Sequence, residues 1–141
     1  MLWRRWDQSL PVVNFVGLNP STADEHRDDP TMRRCRQFAV SWGYGGFLMT
    51  NIFAFRATRP RDLKAAREPV GLQNDQWILR AADDAKLIVF VWGTHGSFRG
   101  RDGDVISLLG PRGQCIALTK GGKPAHPLYL KKGLTPVPFA P

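Results

Sequence analysis

Apolar residues in this chain come in short β-branched blocks, separated by stretches where they recur every three or four positions. Val12-Val13-Asn14-Phe15-Val16-Gly17-Leu18 is apolar almost throughout, the pattern of a strand covered on both faces. Between Pro30 and Trp42 the period changes. Met32, Cys35, Phe38, Ala39 and Trp42 share one helical face, and Arg33, Arg34, Arg36 and Gln37 lie elsewhere. Asp29 is placed to cap this helix, Pro30 suits its first turn and Gly43 ends it. Phe47–Asn51 reads as a second strand, and a short helix is expected after Pro60. Asn74 is expected to cap a helix carrying Trp77, Ile78, Ala81, Ala82 and Ala85. Leu87 to Trp92 is an unbroken apolar run, the clearest central strand. A short helix from Asp104 to Leu109, closed by Gly110-Pro111, precedes a fourth strand at Cys115–Leu118.

Strand and helix alternating in this way predict an α/β three-layer sandwich around a central four-stranded parallel sheet. No repeat or linker divides the 141 residues. The expectation is one domain over 1–141, with a core at about 12–130 and a C-terminal tail at 131–141. Ligands of such sheets bind at the carboxyl ends of the strands. That rule nominates four loops, beginning at Asn19-Pro20-Ser21, Asn51-Ile52-Phe53, Gly93-Thr94-His95-Gly96 and Thr119-Lys120-Gly121-Gly122. The last runs on to His126-Pro127-Leu128-Tyr129.

Charge adds a partner class. Lys+Arg 20 against Asp+Glu 12 gives a net charge of +8, which points toward a polyanion. The excess is uneven: from Val105 to the end stand Arg112, Lys120, Lys123, Lys131 and Lys132, with no acidic residue. Two cysteines, Cys35 and Cys115, exclude a disulfide framework and a four-cysteine metal site, and free thiols suit a reducing cytoplasm. No apolar run is long enough for a membrane helix, so no membrane partner is expected.

The nominated loops lack several kinds of machinery. There is no Walker-type phosphate loop, no dinucleotide fingerprint, no zinc-deaminase signature and no Gly-x-Ser-x-Gly elbow. His26, His95 and His126 are too dispersed to define a metal site, and neither metal nor cofactor is expected. What remains is amides, histidine, aromatics and positive charge. Asn19 and Asn51 each end a strand, and a side-chain amide offers the paired donor and acceptor that fit a nucleobase edge. The same amides could equally cap turns. His126, among lysines, could stabilise a developing anion. Trp42, Tyr44, Phe53 and Phe55 are near enough in sequence to stack on a base, or to serve as core.

These residues bring a resemblance. Gly17-Leu18-Asn19-Pro20-Ser21 resembles the first motif of the uracil-DNA glycosylase superfamily, some branches of which carry Gly-x-Asn-Pro-Gly at the end of strand one. The segment Thr50-Asn51-Ile52-Phe53-Ala54-Phe55-Arg56-Ala57-Thr58-Arg59-Pro60 is similar to the second-strand segment, and the strand to Trp92-Gly93 to the third. His126-Pro127-Leu128 resembles the closing His-Pro-Ser motif. The order agrees over roughly residues 12–130. Ser21 stands where glycine is usual and Leu128 where serine is usual, and Gly-x-Asp-Pro-Tyr, with its water-orienting aspartate, is missing. A closer likeness runs through Asp28-Asp29-Pro30-Thr31, Trp42-Gly43-Tyr44-Gly45-Gly46, Asn51-x-Phe53-Ala54-x-Arg56-Ala57-Thr58 and His126-Pro127-Leu128-Tyr129. It is to a family of small bacterial and phage proteins known only as a domain of unknown function.

The superfamily resemblance implies its fold and a base N-glycosylase acting on a flipped, uracil-like or modified base of DNA. In that reading Asn19 positions water and His126 stabilises the leaving base. Asn51, Phe53, Tyr44 and Ser21 hold the substrate. Leu128 or Tyr129 fills the vacated stack, and Lys120, Lys123, Lys131 and Lys132 meet phosphates. Asp24, Asp28 and Asp29 are alternative water activators. Two other readings stay open: an enzyme that binds or hydrolyses a free nucleotide or nucleoside, with Gly93 to Gly100 near its phosphate, and a non-catalytic nucleic-acid binder. A monomer is expected in each.

Overall fold

The structure, a computed structural model, describes residues 1–141. Its strands are β1 (Leu2–Arg5), β2 (Val12–Gly17), β3 (Gly46–Asn51), β4 (Leu87–Phe90), β5 (Gly113–Cys115) and β6 (Val137–Pro138). The helices are α1 (Pro30–Ser41), α2 (Pro60–Ala65), α3 (Asn74–Asp84) and α4 (Arg101–Leu109). A 3₁₀ segment, Thr94–Gly100, leads into α4. No helix is long and apolar enough to cross a membrane.

The fold is α/β, but the sheet is mixed and six-stranded, in the order β1-β3-β2-β4-β5-β6. β2 pairs in parallel with β3 and β4, and β4 with β5, whereas β1 and β6 close the two edges antiparallel. The expectation of a four-stranded, all-parallel sheet missed both edges for a physical reason. Trp3 and Arg5 are exposed, and β6 is two exposed residues, so neither shows an apolar run. An edge strand needs only one partner and half a covered face.

From β2 the chain passes over one face through α1 to β3, then crosses back to β4 on the other side of β2. Alternate residues of the buried strands therefore feed two cores. Val13, Phe15, Phe47, Met49 and Val89 pack under Met32, Cys35, Phe38 and Ala39 of α1. Val16, Ile88, Phe90 and Trp92 pack with Leu63, Ile78, Ala82, Val105 and Leu109 of the other three helices. The expected α1 face is the one buried. Asp29 caps its start, accepting from the Met32 backbone N–H at 2.9 Å. Asn14, fully buried in β2, ties two strands together, with Nδ2 donating to the Leu48 carbonyl and to Thr50 Oγ1.

Several boundaries differ from expectation, and β4 ends at Phe90 rather than Trp92. The last parallel strand is Gly113–Cys115 rather than Cys115–Leu118, and α4 begins at Arg101 rather than Asp104. Asn74 is the first residue of α3 and makes no cap; its Nδ2 reaches back to the carbonyls of Asn51 (2.7 Å) and Ile52 (3.2 Å). The segment expected as a tail is laid against the domain. Trp42 Nε1 donates to the Leu134 carbonyl at 2.9 Å, β6 pairs with β5, and the Phe139 ring meets Phe90 edge-on at 5.8 Å. Phe139→Ala should therefore lower stability by about 1–3 kcal/mol, read as a fall in the urea midpoint. A midpoint equal to wild type would show that the C-terminal segment adds nothing to the fold.

Candidate functional site

A cleft of about 860 Å³ opens at the carboxyl ends of β2, β3 and β4, where this class of sheet holds ligands. All four nominated loops line it. Asn19 and Ser21 come from the loop after β2, Asn51 and Arg56 to Pro60 from that after β3, Gly93 to His95 from that after β4, and Thr119, His126, Tyr129 and Leu130 from that after β5. The volume is within the range of pockets that enclose small organic ligands.

The loops are fastened in pairs. Asn19 Nδ2 is shared among the carbonyls of Pro20 (3.1 Å), Phe55 (3.3 Å) and Ala57 (2.9 Å). The Ala57 N–H returns a bond to the Pro20 carbonyl at 3.0 Å. Arg56 Nη1 adds two more, to the carbonyls of Ser21 and Ala23. The loops after β2 and β3 thus form one wall. Across the cleft the Gly93 N–H donates to the Pro124 carbonyl at 2.9 Å, joining the loops after β4 and β5. Arg34 of α1 grips the same wall, with its guanidinium on the carbonyls of Pro127 and Leu130.

Asn19 therefore acts first as a staple between loops, because its donor hydrogens are spent on backbone carbonyls. Asn51 is different: its half-buried amide lines the cleft and makes no side-chain hydrogen bond to the protein, which leaves a donor and an acceptor free. Its Oδ1 lies against Gly17, where an added Cβ would stand 2.8 Å away, so glycine at that position makes room for the amide.

His126 is half-buried on the opposite wall, and its Nδ1 accepts from the Leu128 N–H at 3.3 Å. Since Nδ1 is the acceptor, the neutral ring carries its proton on Nε2. Burial lowers the pKa of His126 below its ordinary value, while the nearby charge of Asp29 pulls weakly the other way. Burial thus favours the neutral imidazole, whose Nε2–H has no protein partner. Asp29 is the one carboxylate lining the cleft; its oxygens accept from the N–H groups of Met32 and Ala23 (3.3 Å), which fixes the group in place. Asp24 and Asp28, the other expected water activators, lie off the cleft. Asp28 is paired with Arg4 at 2.8 Å, and Asp24 is exposed.

Several expected contacts are moved. Phe53 is fully buried against Phe98, ring centroids 5.7 Å apart, and cannot stack on a ligand. Tyr44 precedes β3, so it lies at the amino end of the sheet and packs on the α1 core. Lys123 is held by Asp102, with Nζ–Oδ2 at 2.9 Å, and is not free for phosphate. Lys120, Lys131, Lys132 and Leu128 are exposed but do not line the cleft. Tyr129 does line it, almost fully exposed at the rim and 6.2 Å from the His126 ring. Trp77, expected in the core face of α3, is instead 42% exposed and lines the cleft, an aromatic surface on the wall opposite His126. His95 also lines it. No three histidine, cysteine or carboxylate side chains gather into a group that could hold a metal ion.

A family model described as a protein of unknown function (DUF1643) matches residues 1–128. The chain belongs to this family. No curated protein and no solved structure matches it. The matched span of the DUF1643 domain takes in both walls of the cleft, from Asn19 through His126.

Two outcomes check this geometry. Asn19→Ala should cost about 1–3 kcal/mol of stability by stranding loop carbonyls; wild-type stability would mean the staple is idle. By NMR, the His126 ring should titrate below 6.5, and lower still in Asp29→Asn, since that removes the charge favouring the protonated form. Linkage gives the sign. With the folded pKa depressed, the contribution of His126 to stability is complete above about 6.5 and is lost as pH falls through the folded pKa.

Proposed function

We propose that this domain binds a nucleobase in the cleft and hydrolyses its N-glycosidic bond. The observation that carries the reading is the presence of three complementary groups on one cleft: the free amide of Asn51, the neutral Nε2 donor of His126 and the anchored carboxylate of Asp29. Asn51 would read the base edge, and the exposed face of Trp77 offers a stacking surface.

The chemistry follows from the charges. When the bond between the sugar carbon and the base nitrogen breaks, its electron pair leaves with the base. A neutral hydrogen-bond donor at that position stabilises the anion without first having to be protonated. His126 fits this role. Asp29 has lone pairs beyond those taken by the Met32 and Ala23 N–H groups, so it can hold a water and accept its proton as the oxygen joins the sugar carbon. Asn19 remains a second candidate for holding the water: its Nδ2 is committed to the loops, but its Oδ1 accepts no hydrogen bond from the protein. The likeness of the Asn19, Asn51 and His126 segments to uracil-DNA glycosylase motifs supports the same reaction class.

The test is base release from DNA carrying uracil, mismatched thymine or modified bases, and from nucleosides and nucleotides. Release should fall about 10²–10⁴-fold in Asp29→Asn and about 10²–10³-fold in His126→Gln. If no substrate loses its base while oligonucleotide binding persists in both variants, the domain is a non-catalytic binder.

A further inference from the structure

The cleft has a cationic rim that the glycosidic chemistry does not use. Arg56, Thr58 and Arg59 lie on the loop between β3 and α2 and line the wall opposite His126. The arginine–carboxylate pairs of this protein are Arg4–Asp28, Arg36–Asp28, Arg101–Asp75 and Arg112–Asp83. Arg56 and Arg59 belong to none of them. Asp29, the only acid on the cleft, pairs with neither and is occupied by backbone N–H groups.

The two arginines differ in how they are held. Arg56 spends Nη1 on the carbonyls of Ser21 and Ala23, which orients the guanidinium and leaves Nε and Nη2 as unused donors. Arg59 is exposed; its carbonyl accepts from the Asp62 and Leu63 N–H groups at the start of α2, and its side chain makes no hydrogen bond to the protein. One guanidinium held by loop carbonyls, one without a protein partner and the hydroxyl of Thr58 make up the donor set that a tetrahedral oxyanion takes. Fixing Arg56 in advance also reduces the ordering cost on binding. The volume of about 860 Å³ exceeds what a base alone needs and leaves room for sugar and phosphate.

We propose that Arg56, Thr58 and Arg59 form a phosphate subsite, so that the cleft takes a nucleoside together with its phosphate and not the bare nucleoside. This rests on the nucleobase reading above. It adds the substrate class: a phosphorylated nucleoside, whether a free mononucleotide or one residue of a strand. The lysines first expected to meet phosphate lie off the cleft, and the arginine rim takes that role.

The experiment compares calorimetric binding of a nucleoside, its monophosphate and a short single-stranded oligonucleotide, at low and moderate salt. The monophosphate should bind at least about tenfold more tightly than the nucleoside, an advantage of about 1.4 kcal/mol that shrinks with salt. Arg59→Ala and Arg59→Glu should remove the advantage and leave nucleoside affinity unchanged. The Arg59 side chain makes no bond to the fold, so these variants are expected to stay folded. Arg56→Ala is the secondary variant, since it also loosens a wall. A matching loss with the oligonucleotide assigns the phosphate to a strand; a loss confined to the mononucleotide assigns it to the free form. Equal affinity for nucleoside and monophosphate, or an advantage that survives in Arg59→Glu, overturns the subsite and leaves the nucleobase reading standing. Failure of all three ligands to bind overturns both.

Discussion

Four loops meet at the carboxyl ends of the parallel strands, and each brings backbone carbonyls that are partly withdrawn from water. A carbonyl stranded there costs more than an ordinary hydrogen bond returns. The cleft holds its shape because side chains of neighbouring loops supply the missing donors. Asn19 and Arg56 do this for the loops after β2 and β3, and Arg34 does it for the turn that carries His126. Remove these donors and the sheet would still pair, but its two walls would lose their spacing.

The same constraint explains what could be read from sequence. Central strands declare themselves, since β2 and β4 are buried on both faces and have no choice but to be apolar. α1 also declares itself through the Asp29 cap, the following proline and one apolar stripe. Edge strands leave weaker traces, and β1 and β6 were invisible for that reason. The rule placing ligands beyond the strand ends picked out the loops that line the cleft. It also rules out Tyr44, which stands before a strand and not after one. Within a loop, however, an amide or a guanidinium reads alike whether it faces a ligand or a carbonyl. Asn19 and Asn51 are the same residue type at equivalent strand ends, yet the Nδ2 of one is spent on backbone carbonyls and that of the other has no protein partner. Only the partner's position, which is a tertiary fact, separates them. Trp77 shows the converse: helical spacing put it with the core, but α3 turns it toward the cleft mouth.

The net charge of +8 also changes meaning once residues are placed. Counting along the chain draws attention to the lysine-bearing C-terminal stretch. In space, Lys123 is neutralised by Asp102 and the other lysines sit away from the cleft. Positive charge that faces the cleft comes from Arg56 and Arg59, in a segment whose sequence reads mainly as turn. A charge excess attracts polyanions at a distance through the whole field. Short-range recognition belongs to the few cations that are both unpaired and aimed.

Under the proposed function, these placements would divide the electrostatic work of the cleft in a way that one cationic pocket could not. At the rim, exposed guanidiniums stay hydrated and cost little to keep charged, which suits holding an anion that is charged throughout the reaction. On the wall, burial favours the neutral form of His126, which would suit a group whose partner becomes charged only as a bond breaks. A permanent cation in place of His126 would bind the phosphate of the ground state as readily as the departing base, and uniform binding of that kind does not accelerate chemistry. The local device that enforces this separation is the Leu128 N–H on Nδ1 of His126. It commits the ring to the tautomer that carries its proton on Nε2.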